Sequence, residues 1–228
     1  MVLSHASVVA RMQLLIDQWE AIPDQRRIFL SCYLMMTSNM LLAIEQREFL
    51  DSAWVDNLLH RFAEYYFVAL EAYEQDPAAA PPVWQLAHNT ARDPDTQVLQ
   101  KLLVGVNAHI NYDLVLTLVE LLESEWAVLS EDQRAERYAD YCHVNEVIGQ
   151  TIDAVQDQVL EPGLPLLDIL DRFLGPIDEF LISNLINHWR ETVWSNVTLL
   201  LDTTEPAEQA RLIQRVEQEA LRLGRIIT

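Results

Sequence analysis

The sequence predicts an all-α protein, and three observations support this. Hydrophobic residues recur with a helical period almost from end to end, and no segment shows the alternating pattern of a strand. Only 5 of 228 residues are glycine, which turn-rich β architectures need. We therefore expect a single domain, residues 1–228, in which about eight helices surround a buried central helix.

The first three helices are delimited by local signals. The first is predicted over residues 5–21 and ends near Pro23, and the second over residues 25–47. Asp51 is the predicted N-cap of a third helix over residues 52–75. One face of that helix carries an apolar stripe of Val55, Leu58, Leu59, Phe62, Tyr66, Ala69 and Tyr73.

The central helix is predicted to begin at Asp93-Pro94, an N-cap followed by a first-turn proline, and to cover about 94–127. Ser130 and Gln133 form a capping box for the next helix, about 131–160. The remaining predicted helices cover residues 166–174, 177–201 and, as a polar C-terminal helix, 204–226.

Charge and cysteine content limit the cellular compartments and the binding partners that we expect for this protein. The chain has 15 basic and 35 acidic residues and a net charge of -20, which disfavours binding to nucleic acid or to an anionic membrane surface. Cys32 and Cys142 have neither metal-type spacing nor a disulfide framework. No segment has the roughly 18 consecutive apolar residues needed to span a bilayer. These features predict a cytoplasmic protein.

Four polar residues interrupt the apolar central helix. On a wheel at about 100° per residue, Asn107 and Asn111 share one face, and His109 and Asp113 share the opposite face. Because both faces are otherwise apolar, we expect the helix to be buried on both sides. A buried polar group without a partner costs about 1–3 kcal/mol, so each pair needs partners.

The two pairs carry different interpretations. We interpret Asn107 and Asn111 as structural, because amides form good hydrogen bonds but rarely transfer protons. For His109 and Asp113 two interpretations remain open. Asp113 orients the His109 imidazole for acid–base catalysis or metal binding, or the two residues simply link helices.

The segment NAHINYDL (107–114), preceded by LLVG, resembles the Asn-Ala-His-Ile-Asn-x-Asp-Leu signature of an uncharacterised all-helical family, a domain of unknown function. The resemblance covers a core of about residues 25–200. It implies an all-helical fold and points to His109 and Asp113, but it brings no reaction. Weaker family-like features follow in the same order: the Thr37 region, Phe49-Leu-Asp51 with Trp54, Phe62-Ala63 with Tyr65 and Tyr66, Trp84 after paired prolines, Tyr138-x-Asp140 with Asn145, and Arg190 with Trp194.

Further polar residues lie beside apolar stripes of other helices. Asp140 is placed to meet His109 or Arg190 across helices, or to form a structural ion pair with an arginine. Arg190 is placed to bind a carboxylate or to pair with Asp140 or Asp113. The predicted substrate-binding residues are Tyr66, Asn145 and Trp194. Among the other histidines, His60 is expected to be solvated, and His88 has no supporting pattern.

Two functions remain open. The first is a small-molecule enzyme with an apolar pocket between helices, in which His109 and Asp113, with Asp140 or Arg190, perform acid–base chemistry of the cyclase, isomerase, lyase or hydrolase type. The second is a non-catalytic helical module that binds a hydrophobic ligand or a protein. No nucleotide or flavin motif is present. If a divalent metal is bound, its predicted ligands are His109, Asp113 and Asp140.

Overall fold

The computed structural model describes residues 5–157 and 179–228. All secondary structure in these residues is helical, with eight helices and no strands, so the predicted fold class is confirmed. The predicted helix over residues 166–174 and the last residues of the one over 131–160 lie outside the described residues. The helices are α1 His5–Ala21, α2 Arg27–Glu45, α3 Ser52–Gln75, α4 Pro82–Arg92, α5 Val98–Ala108 continued by α6 Leu114–Leu122, α7 Glu131–Asp157, α8 Glu179–Asp202 and α9 Pro206–Ile227.

Two predicted caps are present. The Asp51 carboxylate accepts a hydrogen bond from the Trp54 backbone N–H at 3.0 Å at the start of α3. Before α7, Ser130 and Gln133 exchange side-chain and backbone hydrogen bonds of 2.9 and 3.2 Å, which is the predicted capping box. Both signals are local in sequence, which is why they could be recognised there.

The start of the central helix was predicted wrongly. The Asp93 carboxylate does not cap a helix but accepts the Asp95 backbone N–H at 2.9 Å within a turn. The helix begins four residues later, at Val98, after a capping box formed by Gln97 and Gln100. An aspartate before a proline initiates a turn as readily as a helix, and here the turn is formed.

One turn of the central helix is a π-helix, His109–Asp113, between α5 and α6. The Leu114 N–H donates to the His109 carbonyl, five residues back, instead of four. The buried Thr117 hydroxyl donates to the Asp113 carbonyl at 2.8 Å and so satisfies a backbone acceptor at the end of this turn. The helix ends at Leu122 instead of near residue 127.

The central helix is buried on both sides, as predicted. Val104, Val115 and Leu118 are fully buried. Its first half packs against α2, α4 and α9, and its second half against α3 and α8. The π turn lies where these contacts change over, because it touches α3, α8 and α9.

Two helices of the described chain are long and apolar enough, by length and composition alone, to cross a membrane. They are Arg27–Glu45 and Val98–Leu122, and 50% and 67% of their apolar windows are buried inside the fold. Core helices of soluble proteins meet the same criteria of length and composition. That the protein does not associate with membranes, and that it is cytoplasmic, stay predictions.

Candidate acid–base site

His109 and Asp113 lie at the two ends of the π turn and contact each other. The distance from His109 Nδ1 to Asp113 Oδ2 is 3.0 Å. The side chains are almost completely enclosed, with 3% of His109 and 1% of Asp113 exposed. The contact expected from their spacing is therefore present, and it is formed away from water.

Trp84 of α4 completes a chain of three hydrogen-bonding groups. Its indole Nε1–H donates to both carboxylate oxygens of Asp113, at 3.1 Å to Oδ1 and 3.0 Å to Oδ2. The proline-started α4 places this indole in the core, where 1% of Trp84 is exposed. No sequence pattern predicts a contact between Trp84 and Asp113, since 29 residues separate them; a tryptophan after paired prolines was the only signal.

The His109 imidazole is surrounded by aromatic rings from three helices. Phe62 stacks on it in parallel, with ring centroids 3.6 Å apart and an interplanar angle of 9°. The Nε2 atom of His109 is buried and has no hydrogen-bond partner. The other rings and their centroid distances from His109 are Tyr33 at 4.3 Å, Phe29 at 5.7 Å, Trp84 at 6.1 Å and Tyr66 at 6.2 Å.

Burial controls the protonation of the pair. It lowers the pKa of His109 well below its usual value of 6.5, because the imidazolium loses its hydration. It raises the pKa of Asp113 well above 3.8, although the Trp84 hydrogen bond acts in the opposite direction. Burial therefore favours the neutral form of each group.

The opposite face of the central helix is fastened to α9. Asn107 Nδ2 donates to the Ala220 carbonyl at 2.8 Å, and Asn111 Nδ2 donates to Asn107 Oδ1 at 3.0 Å. Gly224 permits this close approach, because a Cβ atom there would lie 3.2 Å from Asn107 Nδ2. These contacts agree with the structural interpretation of the two asparagines.

A protein-family model matches residues 5–228, which is almost the whole chain. The chain belongs to the family of unknown function DUF5995. The resemblance noted from the sequence is thereby confirmed, and membership extends beyond residues 25–200 on both sides. No curated protein and no solved structure matches the chain.

In this DUF5995 chain, Asp140 and Arg190 form contacts other than those considered from the sequence. The Asp140 carboxylate accepts the backbone N–H groups of Leu50 and Asp51 at 2.7 and 2.8 Å, and so holds the loop between α2 and α3. Arg190 hydrogen-bonds to Asn145 Oδ1 and, at 2.7 Å, to the carbonyl of Tyr141. None of these hydrogen bonds reaches His109 or Asp113, so the catalytic roles predicted for Asp140 and Arg190 form no part of the function proposed below.

The predicted substrate-binding residues are divided between two places. Tyr66 belongs to the ring cluster around His109. Asn145 and Trp194 lie with Arg190 at the contact of α7 and α8, where the half-buried Trp194 ring lies 5.0 Å from the Tyr141 ring. The sequence-based prediction therefore combined residues of two separate clusters into one site.

The predicted metal ligands are not assembled as a set of three. Within residues 5–157 and 179–228, no three His, Cys, Asp or Glu residues are grouped closely enough to hold an ion. His109 and Asp113 are adjacent, but both Asp140 oxygens accept backbone N–H groups of a loop.

Two histidines are more buried than the sequence suggested. His60, expected to be solvated, is only 7% exposed and lies 3.5 Å from Asp56. His88 is 3% exposed and stacks on Trp84, with ring centroids 5.2 Å apart. His88 lies four residues after Trp84, on the buried face of α4.

Proposed function

We propose that this protein is a small-molecule enzyme in which His109 and Asp113 perform acid–base chemistry inside an apolar site. One observation carries the proposal. His109 Nε2 is a buried nitrogen with no partner, at the end of a chain in which Trp84 bonds Asp113 and Asp113 bonds His109 Nδ1. Buried polar atoms are normally satisfied, so an orphaned one beside a perturbed titratable pair favours a functional site.

The neutral pair is suited to protonate a substrate. The protonated Asp113 carboxyl group donates a hydrogen bond to His109 Nδ1. The N–H of the neutral imidazole is therefore at Nε2. Nε2–H then donates its proton to a basic substrate atom while Nδ1 takes the proton from the carboxyl group. The carboxylate that forms accepts the Trp84 Nε1–H, so the indole stabilises the charge that appears during the transfer. The reverse sequence removes a proton from the substrate.

A substrate would reach His109 from the side of Tyr33 and Phe62. These two rings are half-buried, whereas Phe29, Tyr66 and Trp84 are at least nine-tenths buried. Displacement of the Phe62 ring would open a space against the imidazole bounded by aromatic side chains. Such a space suits an apolar substrate, and proton-transfer reactions of the cyclase, isomerase, lyase or hydrolase type fit it.

Small-molecule profiling tests the proposal. The purified protein is incubated with a mixture of metabolites extracted from cells, and consumption and formation of compounds are followed by mass spectrometry. We expect conversions that wild type performs and His109→Gln does not. His143→Gln is the matched control, because His143 lies half-buried near Glu48 and Glu146. Trp84→Phe keeps an aromatic ring but removes the donor, and should slow the same conversions about tenfold or more. Conversions that persist in His109→Gln, or none in wild type, would refute catalysis by His109.

Access past Phe62 has its own test. We expect Phe62→Ala to increase carbethoxylation of His109 by diethyl pyrocarbonate, measured on the peptide that contains it. Val68→Ala is the control, because this residue of α3 is 56% exposed. Equal modification of His109 in wild type and both variants would contradict this route.

The enclosure of His109 favours a second candidate function, a non-catalytic helical module for a hydrophobic ligand or a protein. With 3% of the residue exposed and five aromatic rings around it, the imidazole has the environment of a core residue. In that case His109→Gln and Asp113→Asn would lower stability without abolishing any conversion in the profiling experiment.

A further inference from the structure

A small cavity lies between the start of α2, α4 and the first turns of α5. Trp84 forms part of its wall, and its other polar lining residues are Gln25, Arg26, Tyr66, His88 and Lys101. The volume open to the centre of a water molecule is about 10 Å³, which is room for one oxygen-sized group. Trp84 therefore borders this cavity and also bonds Asp113 of the acid–base site.

Lys101 lines this cavity and forms no direct ion pair with a described residue. It is the only lysine in the sequence, in a chain with 35 acidic residues, and it is 5% exposed. No carboxylate of the described residues lies within 4.0 Å of its ammonium group; burial lowers its pKa, and the more distant charge of Asp93 acts in the opposite direction. A cation on a buried residue that forms no direct ion pair is costly, so a bound anion would stabilise it.

His88 provides a second unsatisfied group in the same cavity wall. The residue is 3% exposed, and its Nε2 atom has no hydrogen-bond partner. Burial and the nearby charges of Arg26 and Arg92 lower its pKa to about 3, so the ring is neutral and has one N–H donor. Arg26 is already occupied, because it pairs with Asp24 at 2.7 Å and with Glu74.

We propose that this cavity binds the carboxylate of a small organic acid, with one oxygen accepting a hydrogen bond from His88 and the charge paired with Lys101. Since the cavity admits only one oxygen-sized group, the rest of the acid extends out of it toward the surface. Gln25 and Arg26, just before α2, and Phe29 in its first turn line the cavity, so α2 adds the positive potential of a helix N-terminus. This binding site does not depend on catalysis by His109.

Lysine-specific NMR tests the site in the intact chain. Incorporation of [¹³Cε]lysine gives a single side-chain signal, because Lys101 is the only lysine. Sodium butyrate is titrated at constant ionic strength, and 1-butanol serves as the uncharged comparison. We expect a saturable shift of the Lys101 signal, and of the Trp84 indole N–H signal, with butyrate and none with butanol. The six indole signals are assigned with Trp84→Phe.

Two variants that remove one positive charge each provide the matched comparison. Lys101→Met should weaken butyrate binding, followed at the Trp84 indole, about tenfold or more, because the paired charge is lost. Arg211→Met removes a cation whose side chain is 75% exposed, and should leave the affinity unchanged.

Several outcomes would overturn the proposal: a shift that does not saturate, equal shifts with butyrate and butanol, binding of phosphate but not of butyrate, or equal loss in both variants. The wild-type titration decides the point even if Lys101→Met does not fold. Because the readout is binding, its result is independent of whether the His109 proposal survives the profiling experiment.

Discussion

The opposite pKa shifts of His109 and Asp113 predict a specific pH dependence of stability. In the native state, burial lowers the pKa of His109 and raises that of Asp113, and we predict from these two directions that the native pair keeps one proton from pH 4.5 to 8. In the unfolded chain the two groups titrate near 6.5 and 3.8. Folding stability changes with pH wherever the two states bind different numbers of protons.

The sign follows from counting protons. The lowered pKa of His109 gives a contribution that is present above pH 6.5 and lost as pH falls. The raised pKa of Asp113 gives one that is present below pH 3.8 and lost as pH rises. Between pH 3.8 and 6.5 the two contributions to the pH dependence of stability cancel. The native pair and the unfolded chain then each hold one proton, which in the unfolded chain is on the imidazole. Above pH 6.5 the unfolded chain releases it, and stability falls by up to about 1.4 kcal/mol per pH unit, or about 2 kcal/mol by pH 8.

Urea unfolding from pH 4.5 to 8 measures this dependence. The difference in unfolding free energy between wild type and the double variant His109→Gln/Asp113→Asn isolates the pair from the other titratable groups. Each single variant should restore one slope. Asp113→Asn leaves the His109 contribution, which loses about 2 kcal/mol between pH 6.5 and 5, and His109→Gln leaves a loss of similar size between pH 4 and 5.5.

The opposite profile would refute the reasoning. If the difference rises from pH 4.5 to 6.5 and is flat above, the native pair holds no extra proton. Asp113 would then be a carboxylate that accepts N–H groups from Trp84 and from the imidazole, and His109 Nε2 would be a bare acceptor. The proposed proton donation from Nε2 could not begin from that state.

Two further predictions concern packing around the central helix. Asn107→Ala should destabilise the fold by about 1–3 kcal/mol, because it leaves the Ala220 carbonyl and the Asn111 amide without their partner. Asn111→Ala should destabilise it less. Equal effects of the two variants in urea unfolding would contradict the structural role of Asn107. Gly105→Ala should destabilise the fold by about 1–3 kcal/mol in thermal unfolding, because its Cβ would lie 2.7 Å from an aromatic side chain of α2. Gly149→Ala, with open space around the new Cβ, should be neutral or stabilising. A Gly105→Ala protein as stable as wild type would show that the aromatic ring moves freely.

The parts of the fold that were predictable depend on short-range signals. Asp51 and the Ser130–Gln133 box act within three residues of the helix they start, so the sequence contains the whole interaction. The signal at Asp93 is also short-range, but it is ambiguous. The hydrogen bond from a nearby backbone N–H to an aspartate carboxylate forms equally well in a turn and at the start of a helix. Only the capping box at Gln97 decides where α5 begins.

The candidate site was predictable only along one helix. His109 and Asp113 are four residues apart, which makes them neighbours on the surface of an α-helix. The π turn between them was not predictable from a wheel with a fixed angle per residue, because its extra residue changes the register. Trp84 was missed because its bond to Asp113 depends on how α4 packs against the central helix, which no local pattern encodes.

The separation of the site residues has the same physical origin. Asp140 and Arg190 lie beside apolar stripes, as does Asp113, and periodicity alone cannot tell which neighbour each will meet. In the structure Asp140 satisfies two loop N–H groups and Arg190 a carbonyl and an amide oxygen. Each of these contacts satisfies polar groups near its own helix, whereas His109 keeps one polar atom unsatisfied.

The interleaving of the two polar pairs gives the π turn a role in the proposed chemistry. Asn107, His109, Asn111 and Asp113 alternate along seven residues, so any change in the winding of this turn moves both pairs. The bond from Asn107 to the Ala220 carbonyl fixes one face on α9, and the bond from Trp84 to Asp113 fixes the other on α4. Because the wider turn is held at both faces, its geometry is defined and its movement is restricted. Such restriction allows the His109 imidazole to keep Nε2 directed toward a substrate in the proposed chemistry.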